Sequence, residues 1–141
     1  MPRPRVFVSF DYENDRRYKY LLEAWNANPK FKFVFTDQTP GEIDTFNVGR
    51  IKAGLTAKIR EATHTLVIIG QYANARHPKS GLIGYKNWIN FEIGQSKANG
   101  NAIAAIKLDR MFESPEELQG ANPSWAMAFS EEAIIRALEQ A

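Results

Sequence analysis

Four short apolar runs set the terms for this chain: RVFVSF (5–10), FKFVF (31–35), TLVIIG (65–70) and AIAAIKL (102–108), each too short for a helix and most rich in β-branched or aromatic residues. Runs that are apolar towards both sides belong inside a parallel sheet with helices above and below it. The segments between them supply those helices. A first is expected from about Asn14 to Asn26, with Tyr18, Leu21, Leu22 and Trp25 as its buried stripe. Ile51, Leu55 and Ile59 recur at helical spacing and predict a second helix to about Thr63, and a third runs from Trp88 to a stop at Gly100. PSWAMAF (123–129) offers a short fifth strand, after which Ser130 can cap a terminal helix whose leading Glu131 and Glu132 face the positive end of the dipole. Strand and helix alternate throughout, which predicts an α/β fold. A length of 141 residues with 44% apolar content is enough for one core, so a single domain over 1–141 is expected. The flavodoxin-like order 2-1-3-4-5 is the natural topology at this size, an open parallel sheet with helices on both faces. In it, ligands bind beyond the carboxyl ends of strands one and three, where the winding reverses.

Several function classes fall away. The absence of cysteine excludes a disulfide scaffold or a thiolate metal site and fits a reducing cytoplasm. His64, read at the end of the second helix, and His77, read in a loop beside Pro78, have no second ligand at helical spacing, so no metal is expected. No apolar run reaches the ~20 residues of a membrane span, and MPRPRVFVSF does not look like a signal peptide, so the expectation is a soluble cytoplasmic protein without a membrane role. A formal charge of +2 is too small a bias to argue for nucleic acid, and the one basic cluster, DRRYKY (15–20), reads as the solvated face of the first helix. Asp37 and Asp44 flank a turn containing Pro40 and Gly41, which explains them through turn chemistry. No G-x-G-x-x-G and no P-loop is present, against a conventional dinucleotide fold or an NTPase. A phosphoacceptor receiver on this topology needs an aspartate at the end of strand three, where Ile69-Gly70-Gln71 stands instead.

Two segments remain for function. Gln71–Asn87 has no sustained period and is rich in Gly, Asn and Pro, so it reads as a loop longer than the ~12 to 15 residues usual for structureless connections. Behind it, NWINFEIGQS (87–96) sets Trp88 and Glu92 four apart, on one face of a helix. Glu92 has Trp88, Ile89, Gln95 and Ser96 at its helical neighbour positions, so the usual intrahelical ion pair is missing. Its helix opens at the expected switch point, together with Ser9, Phe10 and Asp11 at the end of strand one. A carboxylate among apolar residues there is a candidate functional group; the plainer alternative is a surface glutamate near a helix start.

RVFVSFDYEND, then TLVIIG, WINFEI and NGNAIAAIKL in that order, resemble the TIR-like domains of bacterial antiphage Thoeris systems over about the whole chain. The first block is similar to the opening strand and loop of TIR domains, with Asp15 at the acidic position, and WINFEI to the W-x-x-x-E element of TIR enzymes that consume NAD. The resemblance implies Glu92 as catalytic residue, Ser9, Phe10, Asp11 and Trp88 as lining of the pocket, and NAD as substrate with no further cofactor. It also implies self-association through the loop Thr36–Asn47 and a product sensed by a separate effector. The chain departs from the family in the length of Gln71–Asn87, the pocket's expected outer wall. Breaking the nicotinamide-ribose bond develops oxocarbenium character, which a carboxylate stabilises; the leaving nicotinamide is neutral and needs no acid. Attack by water gives ADP-ribose, and attack by a hydroxyl of the same molecule gives a cyclic isomer, which the resemblance favours. The alternative is a non-catalytic TIR-like assembly module. The two differ in whether Glu92 lies in a cleft beside Ser9 and Phe10 or faces solvent or a salt bridge.

Overall fold

A computed structural model describes residues 3–36 and 47–141. The loop Thr36–Asn47, with Asp37 and Asp44, therefore lies outside the described residues except for its two ends. Five strands, β1 (Arg5–Ser9), β2 (Val34–Thr36), β3 (His64–Ile69), β4 (Ala102–Lys107) and β5 (Ser124–Trp125), form one sheet in the order β2-β1-β3-β4-β5. Every pairing is parallel, and Val6 to Ser9 run in register with His64 to Val67. The helices are α1 (Tyr12–Asn26), α2 (Val48–Glu61), α3 (Ser80–Ile83), α4 (Trp88–Asn99) and α5 (Glu131–Gln140), with a short 3₁₀ turn at Glu116–Leu118. This is the doubly wound flavodoxin-like architecture expected, and it is consistent with a TIR-like fold.

Strand alternation sorts the core into two layers. Val6 and Val8 of β1 and Leu66 and Ile68 of β3 pack with Leu22 of α1 and Ile134, Ala137 and Leu138 of α5. Towards the opposite face, Phe7 packs with Ile51, Leu55 and Ile59 of α2 and Phe91 of α4, while Val67 and Ile69 meet Ile89 and Ile93 of α4. By the same alternation Ser9 points to the α4 side. That parity is what puts a polar side chain from β1 beneath α4.

Some expectations need correcting. Of the second run only Val34 and Phe35 pair as strand, which continues to Thr36, yet Phe31 and Phe33 are still core residues. In α1, which begins two residues earlier than expected and is kinked at Asp15, Leu22 is buried but Leu21 is 46% exposed. Asp11 caps it, accepting from the backbone N–H groups of Glu13 and Asn14. His64 is the first residue of β3 rather than a cation at a helix end. Partial burial lowers its pKa, favouring the neutral ring, and Nδ1 lies 2.8 Å from the Thr63 hydroxyl.

The segment Gln71–Asn87 is the largest correction. It contains α3, and it is fastened from within by asparagines that leave no periodic trace in sequence. Asn87 caps α4 by accepting from Asn90 N–H at 2.9 Å, and its amide donates to the carbonyls of Ala73 and Ala75, both at 2.9 Å. The Asn90 amide donates to Oδ1 of Asn74 and Asn87, and its own Oδ1 accepts from Glu117 N–H at 2.9 Å. Asn74 Oδ1 in turn accepts from Glu116 N–H at 3.0 Å. Three buried amides thus satisfy backbone groups that a buried loop would otherwise leave unpaired. Tyr85 completes the attachment by lying against Gly94 of α4, where a Cβ would meet its hydroxyl at 2.6 Å.

Among the described residues no helix is long and apolar enough to cross a membrane.

Candidate functional site

Helix α4 has no single apolar face: Ile89, Asn90, Phe91, Glu92 and Ile93 are all buried. The sheet lies beneath it, α2 packs along one side, and the Asn-fastened segment with the 3₁₀ turn closes the other. The run from Ile89 to Ile93 is therefore buried on every side, and Glu92 points at the end of β1. It has no exposed surface. Ser9 Oγ donates to Glu92 Oε1 at 2.5 Å across 83 residues of sequence, and Glu92 Oε2 has no hydrogen-bond partner among the described residues.

Burial without a cation forces the carboxyl's chemistry. Removing a carboxylate from water disfavours the charged form, and the single Ser9 hydrogen bond offsets this only in part. The Glu92 pKa is accordingly raised to about 8. At neutral pH the group holds its proton, which can sit on Oε2. The arrangement is neither the open cleft nor the solvent or salt-bridge contact that the sequence left as alternatives. It is a closed, half-satisfied carboxyl at the switch point.

The remaining sequence-chosen residues are placed as follows. Ser9 is wholly buried and joined to Glu92. The Phe10 side chain is 2% exposed and packs in the α1 and α5 layer, with its ring 6.2 Å from that of Tyr12, so it does not share the Glu92 side of the sheet. Asp11 is occupied as the cap of α1 and also accepts from the Asn14 amide at 2.7 Å. Trp88 is half-buried against the α2 layer, its ring edge-on to Phe91 at 5.6 Å and to His77 at 6.5 Å. Of the four, only Ser9 bonds Glu92.

A second carboxyl stands at the same end of the sheet. Asp15 is 8% exposed, and its Oδ2 is buried without a hydrogen-bond partner among the described residues. The residue departs from helical geometry (φ −118°, ψ 16°), and its carboxyl lies over Gly70, the first residue beyond β3. Desolvation, and then the negative charge of Asp11, raise its pKa to about 6, against the opposing pull of Arg17. Sequence reading placed Asp15 at the start of the DRRYKY cluster and, by resemblance, at an acidic family position, and did not connect it to Gly70. The signal available was an acid in the first turn of a helix and a glycine directly after an apolar strand.

A surface groove of about 570 Å³ lies between α3 and the 3₁₀ turn, lined by Arg76 and Lys86 against Glu116 and Glu117. It includes none of Ser9, Asp15, Trp88 or Glu92. No three His, Asp or Glu side chains gather where they would hold a metal ion among the described residues.

Comparison with curated proteins returns no match. The family described as Thoeris protein ThsB, TIR-like domain, does match, over residues 7–111. That span runs from within β1 through α4 and β4 and carries Ser9, Asp15, Gly70 and Glu92 inside it. With three quarters of its length so matched and its sheet wound in the corresponding order, the chain belongs to the TIR-like domain family of Thoeris protein ThsB.

Proposed function

We propose that this chain cleaves the bond between nicotinamide and ribose in NAD and releases a cyclic ADP-ribose isomer, as a defence signal read by a separate effector. The observation that carries the reading is the buried Glu92 carboxyl, bonded by Ser9 on one oxygen and free on the other, at the carboxyl end of β1. A structural residue in that position would be better served by an apolar side chain, because an unpaired buried carboxyl costs stability. Such groups are retained where their chemistry is used.

The proposed reaction follows from that chemistry. NAD brings a cationic pyridinium, whose charge favours ionisation of a nearby carboxyl. Glu92, once ionised, stabilises the positive charge that develops at the anomeric carbon as the C–N bond breaks and its electron pair leaves on the nicotinamide nitrogen. A hydroxyl of the same molecule, or water, then forms the new bond to that carbon and gives up its proton, which a carboxylate of raised pKa is suited to take. Closure of the site against water favours the intramolecular attack. Because Glu92 has no exposed surface, substrate reaches it only when neighbouring side chains give way. Self-association through Thr36–Asn47, the loop next to β2 and α2, would be one way to bring that about. The location follows from the same reading: NAD and a diffusible effector signal meet in the cytoplasm.

The test is release of nicotinamide from NAD by concentrated protein, resolved by chromatography together with the second product. Wild type is expected to release it and Glu92→Gln is not. Equal turnover by both proteins would remove Glu92 from the reaction, and ADP-ribose as sole product would replace the cyclase reading with hydrolysis. A second reading, an assembly module without catalysis, predicts that neither protein consumes NAD in the assembled state.

A further inference from the structure

Asp15 carries three local costs at once. Its dihedrals leave the helix within α1, its Oδ2 is buried with no hydrogen-bond partner among the described residues, and its seat exists only because residue 70 has no side chain. A Cβ at position 70 would stand 2.7 Å from the Asp15 carboxyl carbon, well inside van der Waals contact. The helix start does not require this residue, since Asp11 already caps it. Nor does an ion pair: Arg17 acts on the carboxyl only as the weakest of its three influences and forms no salt bridge with it in the structure. A buried polar atom left without a partner in a folded protein calls for a specific role, and backbone departures of this kind gather where ligands are held.

Position indicates the role. Gly70 follows the last residue of β3, and β3 is the parallel neighbour of β1, which ends in the Ser9 that holds Glu92. The two half-satisfied carboxyls thus border the crevice where this topology binds ligands, one reached from α1 and the other from α4. We propose that Asp15 is a second substrate-contacting residue of that crevice, its free Oδ2 accepting a hydrogen bond from a neutral O–H or N–H donor of the nucleotide. The inference rests on NAD as substrate. With Glu92 committed to the reacting ribose, the donors left to Asp15 are the nicotinamide carboxamide, the hydroxyls of a ribose and the amino group of adenine.

The experiment measures NAD affinity by calorimetry in the Glu92→Gln background, where turnover is blocked, with and without Asp15→Asn. Asparagine keeps the shape over Gly70 but can present an N–H where the carboxylate presented an acceptor. The expected result is a loss of threefold or more in affinity, with a melting temperature at neutral pH that stays or rises. If asparagine fails to fold, Asp15→Ala replaces it, since a smaller side chain fits the same seat. A deamido analogue, in which the carboxamide is a carboxylate, separates the carboxamide from the other donors. Rejection of that analogue, relieved by Asp15→Asn, assigns Asp15 to the carboxamide; equal weakening for both ligands assigns it to a ribose hydroxyl or the adenine amino group. Affinity changed by less than threefold, in a protein whose wild type releases nicotinamide, overturns this inference alone. A wild type that neither binds NAD nor releases nicotinamide overturns the NAD reading and this inference together.

Discussion

Replacing Glu92 by glutamine tests the central claim through stability, without any substrate. The wild-type carboxyl titrates near its ordinary value of 4.5 when the chain is unfolded and at about 8 when folded. Between those values the folded protein keeps a proton that the unfolded chain has released, so stability falls as pH rises. The contribution is fully present below the unfolded pKa and has been lost once pH passes the folded one. From about pH 5.5 to about pH 9, this group alone removes roughly 3 kcal/mol. Glutamine is neutral throughout, has the same size, and can still accept from Ser9 Oγ, so the variant does not lose stability by this route. Asp15, whose pKa is also raised, acts alike in both proteins and cancels in the comparison. Thermal unfolding followed by circular dichroism across this range is expected to show the variant gaining on the wild type by about 10 °C. Parallel curves for the two proteins would refute the reasoning, because they would mean that Glu92 ionises in the folded state without cost.

Three further outcomes follow. On the proposed reaction, kcat/KM for NAD rises with pH to a plateau above about pH 8, where free Glu92 becomes a carboxylate, while the kcat profile turns at lower pH because bound pyridinium favours ionisation; a flat profile from pH 6 to 9 would separate Glu92 from the rate. Ser9→Ala removes the hydrogen bond that lowers the Glu92 pKa, so it moves the rise in kcat/KM to higher pH and costs about 1 kcal/mol in denaturant unfolding. Asn90→Ala strips partners from Asn74, Asn87 and the Glu117 N–H, with an expected loss of roughly 2 to 3 kcal/mol and faster amide exchange at His77 and Glu117 than elsewhere.

What was legible in the sequence was whatever depends on neighbours along the chain. Apolar runs of five or six residues bounded by turn formers gave β1, β3 and β4, and Ile51, Leu55 and Ile59 gave the buried face of α2. From strands alternating with helices in a chain of this size, the flavodoxin-like order of the sheet was the natural expectation. The missing ion partner around Glu92 was legible too, because helical neighbours are fixed by spacing. Its interpretation was not. Whether Glu92 is a solvated helix-start residue or a buried acid depends on what covers α4, and that cover is built by Asn74, Asn87 and Asn90 bonding to backbone more than ten residues away. Amide hydrogen bonds of this range have no period, so the segment read as an unstructured loop.

The same division separates Ser9 from Phe10. Both were chosen as neighbours at a strand end, but the pleat turns Ser9 to α4 and the Phe10 side chain to the opposite core layer. The pairing of Asp15 with Gly70 spans two elements with no local pattern in common, and only the close approach of α1 to the exit of β3 creates it. Sequence by itself determined the five strands, the four long helices and the absence of a helical ion partner for Glu92, because those follow from local spacing and apolar content. The tertiary structure alone decided that two carboxyls are buried with an oxygen to spare, because burial is a property of everything packed around a group and charge responds to burial more strongly than to sequence neighbours.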